Sequence, residues 1–214
     1  IKLFCGKPII AWSIEAAKES GIFDRIIVST DNREIAKIAL QWGAEVPFIR
    51  PKELADDFAD TVSVVNHAIG WLENNGYSFE AACCIYATAP FIQSSEIKSG
   101  YNILEKKNVD FVFSATSYAF PIQRAFKLSK DGKIVMFDEN KIKVRSQDLV
   151  EFFHDAGQFY WGKPKSWSCD AQIFSSRSEI VILPRYRVQD IDTLEDWKRA
   201  ELMFKVLKRA KEVF

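Results

Sequence analysis

Two carboxylates stand two residues apart near the end of the chain, at Asp190 and Asp192. An apparent strand ends here, and alternate residues of extended backbone face the same side, so both carboxylates can reach one hard cation. Mg²⁺ prefers one or two carboxylates together with phosphate oxygens and water, which predicts a magnesium site for a nucleoside triphosphate. The alternative is that Asp192 or Thr193 caps the next helix, with Glu195 completing a capping box after Asp192. Asp190 remains available in either case.

Polar residues also follow other predicted strands, which is where open α/β sheets bind ligands. Residues 29–31 (STD) are more typical of a helix cap than of a ligand site. Arg50 and Pro51, with the polar loop up to Thr61, can hold a nucleobase through backbone groups and hydroxyls. The alternative for that loop is a solvated connection. A further strand end carries residues 86–90 (YATAP).

Basic side chains stand within an aromatic-rich stretch, at Arg124, Lys127 and Arg145. A guanidinium can pair through two hydrogen bonds with a carboxylate, so Arg124 and Arg145 are candidate clamps for an acidic sugar. The alternative is that these arginines are solvated or paired within their own loops. His154 is a candidate proton shuttle near neutral pH.

Composition excludes several classes of protein. Lys+Arg and Asp+Glu both total 29, which argues against a grip on long nucleic acid, because that needs a strongly basic surface. No apolar run approaches the length of about 20 residues that crosses a bilayer. The four cysteines, Cys5, Cys83, Cys84 and Cys169, lack metal-ligand spacing. We expect them to be reduced thiols in a cytoplasmic protein.

Strand and helix patterns alternate along most of the chain at short spacing. The predicted strands are residues 25–30, 44–49, 81–87, 110–115 and 179–184. The predicted helices are residues 8–20, 34–42, 61–75, 94–107 and 193 to the C-terminus. This alternation predicts an α/β domain with a mostly parallel sheet and helices on both faces.

The alternation breaks after residue 116. Residues 117–170 are rich in aromatics and contain short β runs such as 133–138, with few convincing helices. We therefore predict two domains: residues 1–116 with 171–214 form the nucleotide-binding α/β domain, and residues 117–170 form an inserted β-rich lobe.

An ordered series of motifs resembles the sialic-acid-type cytidylyltransferases over essentially the whole chain. These motifs are residues 6–10 (GKPII), 14–17 (IEAA), 23–31 (FDRIIVSTD), 34–36 (EIA), 43–51 (GAEVPFIRP), 54–57 (LADD) and 190–193 (DIDT). Four others resemble the pseudaminic acid branch of that family: residues 84–91 (CIYATAPF), 120–126 (FPIQRAF), 145–149 (RSQDL) and 154–157 (HDAG). The sialic branch more typically has glutamine where Tyr86 stands, and Asn-Gly where Ala156 and Gly157 stand.

The resemblance implies a Rossmann-like fold of the nucleotide-diphospho-sugar transferase type. It implies transfer of CMP from CTP to a nine-carbon acidic sugar, with Mg²⁺ as cofactor and a homodimer formed through the inserted lobe. The positions that match the family's sites are Asp190 and Asp192 for metal and catalysis, Arg50, Ala59, Thr61, Tyr86 and Thr88 for the nucleotide, and Arg124, Arg145 and Gln147 for the sugar.

The family also begins with a strand and a phosphate-cradling loop that have no counterpart here. Ile1 rather than Met stands first, and a helix pattern follows almost at once. We therefore expect the natural chain to be longer at its N-terminus, and the 214 residues alone to be inactive. Three alternatives stay open: a cytidylyltransferase for sialic or legionaminic acid, a non-catalytic nucleotide- or sugar-binding protein, and a structural oligomerisation subunit.

Overall fold

A computed structural model describes residues 1–56, 58–167 and 172–213, with side chains described as far as residue 209. The helices are α1 (Ile9–Ser20), α2 (Arg33–Gln41), α3 (Thr61–Asn74), α4 (Ser94–Lys106), α5 (Pro164–Trp167) and α6 (Leu194–Val213). The strands are β1 (Leu3–Phe4), β2 (Lys7–Pro8), β3 (Ala82–Ile85), β4 (Phe111–Ser117), β5 (Phe126–Leu128), β6 (Ile134–Met136), β7 (Phe153–Gly162) and β8 (Ser178–Ile182). No helix of the described residues is long and apolar enough to cross a membrane.

The central sheet has the strand order β3-β7-β4-β8. Strand β7 runs antiparallel to both β3 and β4, whereas β4 and β8 are parallel. Three of the four strands therefore run in one direction, and the sheet is mixed. The predicted α/β class is confirmed, with one antiparallel strand that the alternation pattern did not reveal.

Helices cover both faces of this sheet. Val112 and Trp161 pack on one face with Ile97 of α4, in a cluster that also includes Ala16 of α1. Phe111 and Tyr160, their neighbours in sequence, pack on the opposite face with Ile69 of α3 and Trp167 of α5. Successive side chains of a strand point to opposite faces, so this alternation places a core on each side.

Helix α4 lies unusually close to the sheet. A Cβ atom added at Gly100 would lie 2.7 Å from Trp161 Cδ1 and 2.8 Å from Phe159 Cε2, so any larger residue would push the helix away. The indole nitrogen of Trp161 donates to the Ile97 carbonyl at 3.0 Å, which fixes the same contact. The N-terminal turn of α4 is thereby held against β7.

The prediction of strands at residues 25–30 and 44–49 is wrong. These segments form only an isolated parallel bridge between Ile27 and Glu45. Two hydrogen bonds flank the bridge, from Val28 N to Glu45 O at 2.9 Å and from Glu45 N to Ile26 O at 2.7 Å. The cap of α2 is Asn32, directly after the predicted STD segment, because the Asn32 side chain accepts from the backbone N–H groups of Glu34 and Ile35.

The predicted lobe contains the hairpin β5–β6, with Phe126 opposite Met136. Strand β7, however, falls within the predicted range 117–170 and belongs to the central sheet, because it pairs with β3 and β4 along much of its length. The lobe that leaves the sheet is therefore shorter than predicted and ends before Phe153. The predicted boundary at 170 and Cys169 lie outside the described residues. The division into two domains stays a prediction.

Candidate active site

Two of the predicted nucleotide-binding residues meet directly. The hydroxyl of Tyr86 lies 2.9 Å from Thr61 Oγ1, which joins the segment after β3 to the first residue of α3. The Tyr86 backbone is also anchored, because its N–H donates to Gln158 O at 3.0 Å and its carbonyl accepts from Ser13 Oγ at 2.7 Å. Tyr86 is therefore held at both its backbone and its hydroxyl.

The loop that precedes α3 is shaped by two aspartates. Asp56 Oδ1 accepts from Phe58 N at 2.9 Å and from Ala59 N at 2.8 Å. Asp60 then caps α3 by accepting from Ser63 N at 2.8 Å. The Ser63 backbone and hydroxyl donors lower the pKa of Asp60. Ala59 and Thr61 thus flank a fixed helix start.

Arg50 lies where the extended segment after Glu45 ends. Its N–H donates to the carbonyl of Thr30, within the STD segment, at 2.9 Å. The Arg50 Nε atom is buried and has no hydrogen-bond partner among the described residues.

Thr88 is exposed in the turn that follows Tyr86. The Ala89 N–H donates to Tyr86 O at 3.3 Å and closes this turn. Ala89 and Phe91, by contrast, are buried at 3% and 5% exposure and hold the turn against the core. The turn therefore presents Thr88 to solvent from a rigid base.

Asp190 and Asp192 follow a loop and not a strand, which corrects the predicted local structure. Strand β8 ends at Ile182, and a 3₁₀ turn over Arg185–Arg187 intervenes. Exposure still alternates, because both aspartates are exposed while Ile191 between them packs partly into the cluster of Phe4, Ile9 and Phe91. This alternation supports a common face for the two carboxylates.

Neither aspartate caps α6. Thr193 Oγ1 accepts from Asp196 N at 3.1 Å, and Asp196 Oδ2 accepts from Thr193 N at 2.9 Å. The predicted cap at Thr193 is therefore confirmed, whereas the predicted capping box of Asp192 and Glu195 is wrong. The cap sits one position later, so Asp192 remains available for a ligand.

The two carboxylates suit a hard cation that also binds phosphate. No described residue forms an ion pair with Asp190 or Asp192. Among the described residues, the one hydrogen bond that either carboxylate makes is from Ile191 N to Asp190 Oδ1, at 3.1 Å. Within the described part of the chain, no group of three or more His, Cys, Asp or Glu residues can hold a metal. Two protein carboxylates, with phosphate and water completing the shell, fit Mg²⁺.

The sugar-side candidates lie together in the lobe, where they are engaged with its own residues. Arg124 Nη1 donates to Ser146 Oγ at 3.1 Å and its Nη2 donates to Val144 O, so Arg124 braces the segment before Gln147. Arg145 Nε pairs with Asp148 Oδ2 at 2.7 Å. Arg145 and Gln147 are exposed. Among the described residues, no hydrogen bond or ion pair joins this group to Thr61, Tyr86 or the two aspartates.

Sequence reasoning missed a carboxylate–phenol pair behind Tyr86. The buried Tyr160 hydroxyl donates to Asp155 Oδ2, and Asp155 Oδ1 accepts from Gly157 N at 2.9 Å. Burial first, and then Asp155, raises the pKa of Tyr160 far above its ordinary value. The Tyr160 ring lies 5.3 Å from that of Tyr86. The only signal in the sequence was the polar Asp155 at the start of an apolar strand.

His154 lies next to this pair, at the edge where the lobe joins the sheet. Its Nδ1 donates to the Asp155 carbonyl at 2.8 Å, and its ring centroid is 4.8 Å from that of Tyr118. The predicted role as a proton shuttle stays a prediction.

Comparison with known proteins identifies the family of this chain. Residues 1–208 match the family model described as Cytidylyltransferase. The chain is 44% identical over 203 residues to a pseudaminic acid cytidylyltransferase of Campylobacter jejuni, covering 95% of this chain and 88% of that protein. It is 26% identical over 213 residues to the CMP-N,N'-diacetyllegionaminic acid synthase of Legionella pneumophila, covering 98% of this chain and 90% of that protein.

A solved structure shares the fold. The CMP:2-keto-3-deoxy-manno-octonic acid synthetase complexed with CTP superposes with a TM-score of 0.63 at 12% identity, covering 95% of this chain and 90% of that chain. Because the family model spans nearly the whole sequence and the similarity to the Campylobacter protein is just as extensive, the chain belongs to the cytidylyltransferase family.

Proposed function

We propose that this chain transfers CMP from CTP to the anomeric hydroxyl of pseudaminic acid, a nine-carbon acidic sugar, with release of pyrophosphate. The observation that carries the sugar assignment is the 44% identity to a pseudaminic acid cytidylyltransferase, compared with 26% to the legionaminic acid enzyme. Tyr86, which stands where the sialic branch has glutamine, supports the same choice.

The nucleotide end of the site consists of Arg50, Ala59, Thr61, Tyr86 and Thr88. Thr61 and Tyr86 hold each other's hydroxyls, which pre-organises the rim before the nucleotide arrives. Arg50 offers a buried guanidinium nitrogen with no described partner. These residues bind the cytosine and line the cleft between nucleotide and sugar.

The reaction needs no covalent enzyme intermediate. The anomeric oxygen forms a bond to the α-phosphorus, the bond from that phosphorus to the pyrophosphate oxygen breaks, and the hydroxyl proton passes to Asp192. When bound by Asp190 and Asp192, Mg²⁺ neutralises charge on the triphosphate. Arg145 and Gln147, with Arg124, bind the sugar; a carboxylate there would compete with Asp148 for Arg145.

The lobe supports a homodimer. Its hairpin and neighbouring turns leave large apolar side chains exposed, with Phe120 at 83%, Phe126 at 60%, Leu128 at 66%, Ile134 at 62%, Phe137 at 68% and Val150 at 75%. A patch of this kind usually marks a protein interface. A second copy of this chain is the proposed occupant.

A cytoplasmic location accords with the use of CTP and with free thiols at Cys5, Cys83 and Cys84.

A panel of sugars tests the substrate. The complete natural chain is incubated with CTP, Mg²⁺ and pseudaminic, N-acetylneuraminic or legionaminic acid in turn, and pyrophosphate release is measured. We expect the highest kcat/KM with pseudaminic acid. A higher value with either other sugar would reassign the substrate, and no release with any acidic sugar would favour the binding protein or the structural subunit.

The metal residues are tested in the same assay. Asp190→Asn and Asp192→Asn should each lower kcat by about a hundredfold or more, because each removes charge that stabilises the transition state. Glu195→Gln is the matched control, since Glu195 is an exposed acidic residue three positions after Asp192. Near-normal rates for both aspartate variants would remove the metal role.

A further inference from the structure

A largely buried ion pair involves Arg187, which shortly precedes the two aspartates in the chain. Arg187 Nη2 pairs with Glu96 Oε1, and each side chain is only 12% exposed. Within the described part of the chain, every other ion pair has at least one side chain exposed by 35% or more. Glu96 lies in the first turn of α4, where the helix dipole favours a carboxylate.

Arg187 is also anchored through its backbone. Its carbonyl accepts from Gln158 Nε2 at 2.8 Å, and Gln158 is 3% exposed within β7. The Gln158 carbonyl in turn accepts from Tyr86 N at 3.0 Å. Arg187 therefore ties the segment after β8 to α4 by its side chain and to β7 by its backbone, beside the strand end that carries Tyr86.

The segment from Val188 to Thr193 has no strand or helix of its own. Its far end is held by Ile191, which packs against Phe4 and Ile9, and by the Thr193–Asp196 cap. Its near end begins at Arg187. The two carboxylates lie between these anchors, so their position depends on both.

We propose that the Glu96–Arg187 ion pair is a positioning device that holds the Asp190–Asp192 segment in its metal-binding arrangement. This inference rests on the metal role in the proposed function. A buried ion pair is a poor source of net stability, because desolvation offsets most of the attraction. A largely buried charge is stable only next to its oppositely charged partner, so the pair fixes the conformation of the segment that carries Arg187.

Variants at Arg187 and Glu96 test the proposal in the complete chain. Arg187→Met keeps an apolar stem and removes the charge, whereas Glu96→Gln keeps the shape and a hydrogen-bond acceptor. Lys107→Met is the matched control, because Lys107 pairs with Glu179 at 2.9 Å and also links the end of α4 to β8, but on the exposed surface.

Three measurements follow each variant: amide hydrogen exchange of residues 188–193 without ligands, Mn²⁺ affinity with CTP present, and thermal unfolding. We expect faster exchange confined to residues 188–193, and an Mn²⁺ affinity lowered by about 10- to 100-fold, as for other residues that orient metal ligands. Arg187→Lys should recover part of the affinity. Lys107→Met should change neither the hydrogen exchange of residues 188–193 nor the Mn²⁺ affinity.

Lower melting temperature with unchanged exchange at 188–193 and unchanged Mn²⁺ affinity would overturn the proposal and leave a structural role. Glu96→Gln decides the question where Arg187→Met does not fold. The exchange measurement uses ligand-free protein, so it stands even where the wild-type chain fails to use CTP. Failure of the proposed function and failure of this inference are thereby distinguishable.

Discussion

The hydroxyl of Tyr86 is a contact point between two parts of the candidate site. It lies 2.9 Å from Thr61 Oγ1 and next to the Tyr160 ring, whose own hydroxyl is committed to Asp155. Removing the Tyr86 hydroxyl leaves Thr61 Oγ1 without this partner. This hydrogen bond therefore links the segment after β3 to the start of α3.

Tyr86→Phe should raise the KM for CTP about fivefold, since one hydrogen bond contributes about 1 kcal/mol. Thr61→Val should do the same, and the double variant should cost less than the sum because both changes remove one contact. Steady-state kinetics measures this. Tyr101→Phe, which alters a ring packed on Trp161, is the control. Full additivity of the two variants would contradict the coupling.

Burial also governs the cysteines. It raises the pKa of Cys84 to about 12 and that of Cys83 well above its ordinary value. The reactive thiolate is therefore scarce at mildly alkaline pH.

We expect iodoacetamide at mildly alkaline pH to leave Cys83 and Cys84 unmodified in the folded protein and to label both in guanidinium chloride. Peptide mass spectrometry reads the two sites separately. Rapid labelling of either in the folded state would show that β3 opens readily.

At the scale of elements, the N-terminus of helix α3 positions a residue of the candidate site. Helix α3 begins beside Thr61 because Asp60 accepts from both the backbone and the hydroxyl of Ser63, at 2.8 and 3.0 Å. These donors lower the pKa of Asp60, so its ionised form is stabilised in the folded state. The contribution of Asp60 to the free energy of unfolding is fully present above its pKa in the unfolded chain. It is lost as the pH falls through its lower pKa in the folded state.

Asp60→Ala should lower the free energy of unfolding at neutral pH by about 1 kcal/mol, as loss of a helix cap does. The difference from wild type should shrink in acid, where Asp60 is protonated in both states. Denaturant titrations at the two pH values measure it. Asp31→Ala is the control, because Asp31 precedes α2 while Asn32 supplies the cap. A pH-independent difference would contradict the charge-assisted cap.

For the whole molecule, the sheet is covered on both faces while the lobe is not. The β5–β6 hairpin exposes Phe126 at 60% and Leu128 at 66%, a cost that a second copy of the chain would remove.

The double variant Phe126→Asp with Leu128→Asp should convert the dimer into a monomer, because burying two carboxylates in an apolar interface is unfavourable. Sedimentation velocity of the complete chain measures the mass. Leu202→Asp is the control, since Leu202 is also an exposed leucine, at 65%, but belongs to α6 and not to the hairpin. A variant that stays dimeric would move the interface elsewhere.

Local patterns were sufficient for the helices of the described residues other than α5, for the strands of residues 82–85, 111–117 and 178–182, and for the family. Helical periodicity and the motif series are properties of neighbouring residues, and neighbours are what a sequence displays. The same patterns predicted strands at 25–30 and 44–49, where the folded chain forms only one bridge, at Ile27. Pairing depends on what lies alongside, which local periodicity does not record.

Tertiary structure alone decided three features of the site. It placed β7 antiparallel within the central sheet, paired Arg187 with Glu96 across 91 residues, and set Asp155 beneath Tyr160 next to Tyr86. It also decided between the two predicted caps of α6, Asp192 and Thr193, in favour of Thr193. Each outcome depends on which groups are excluded from water together, and that exclusion exists only once distant segments have packed.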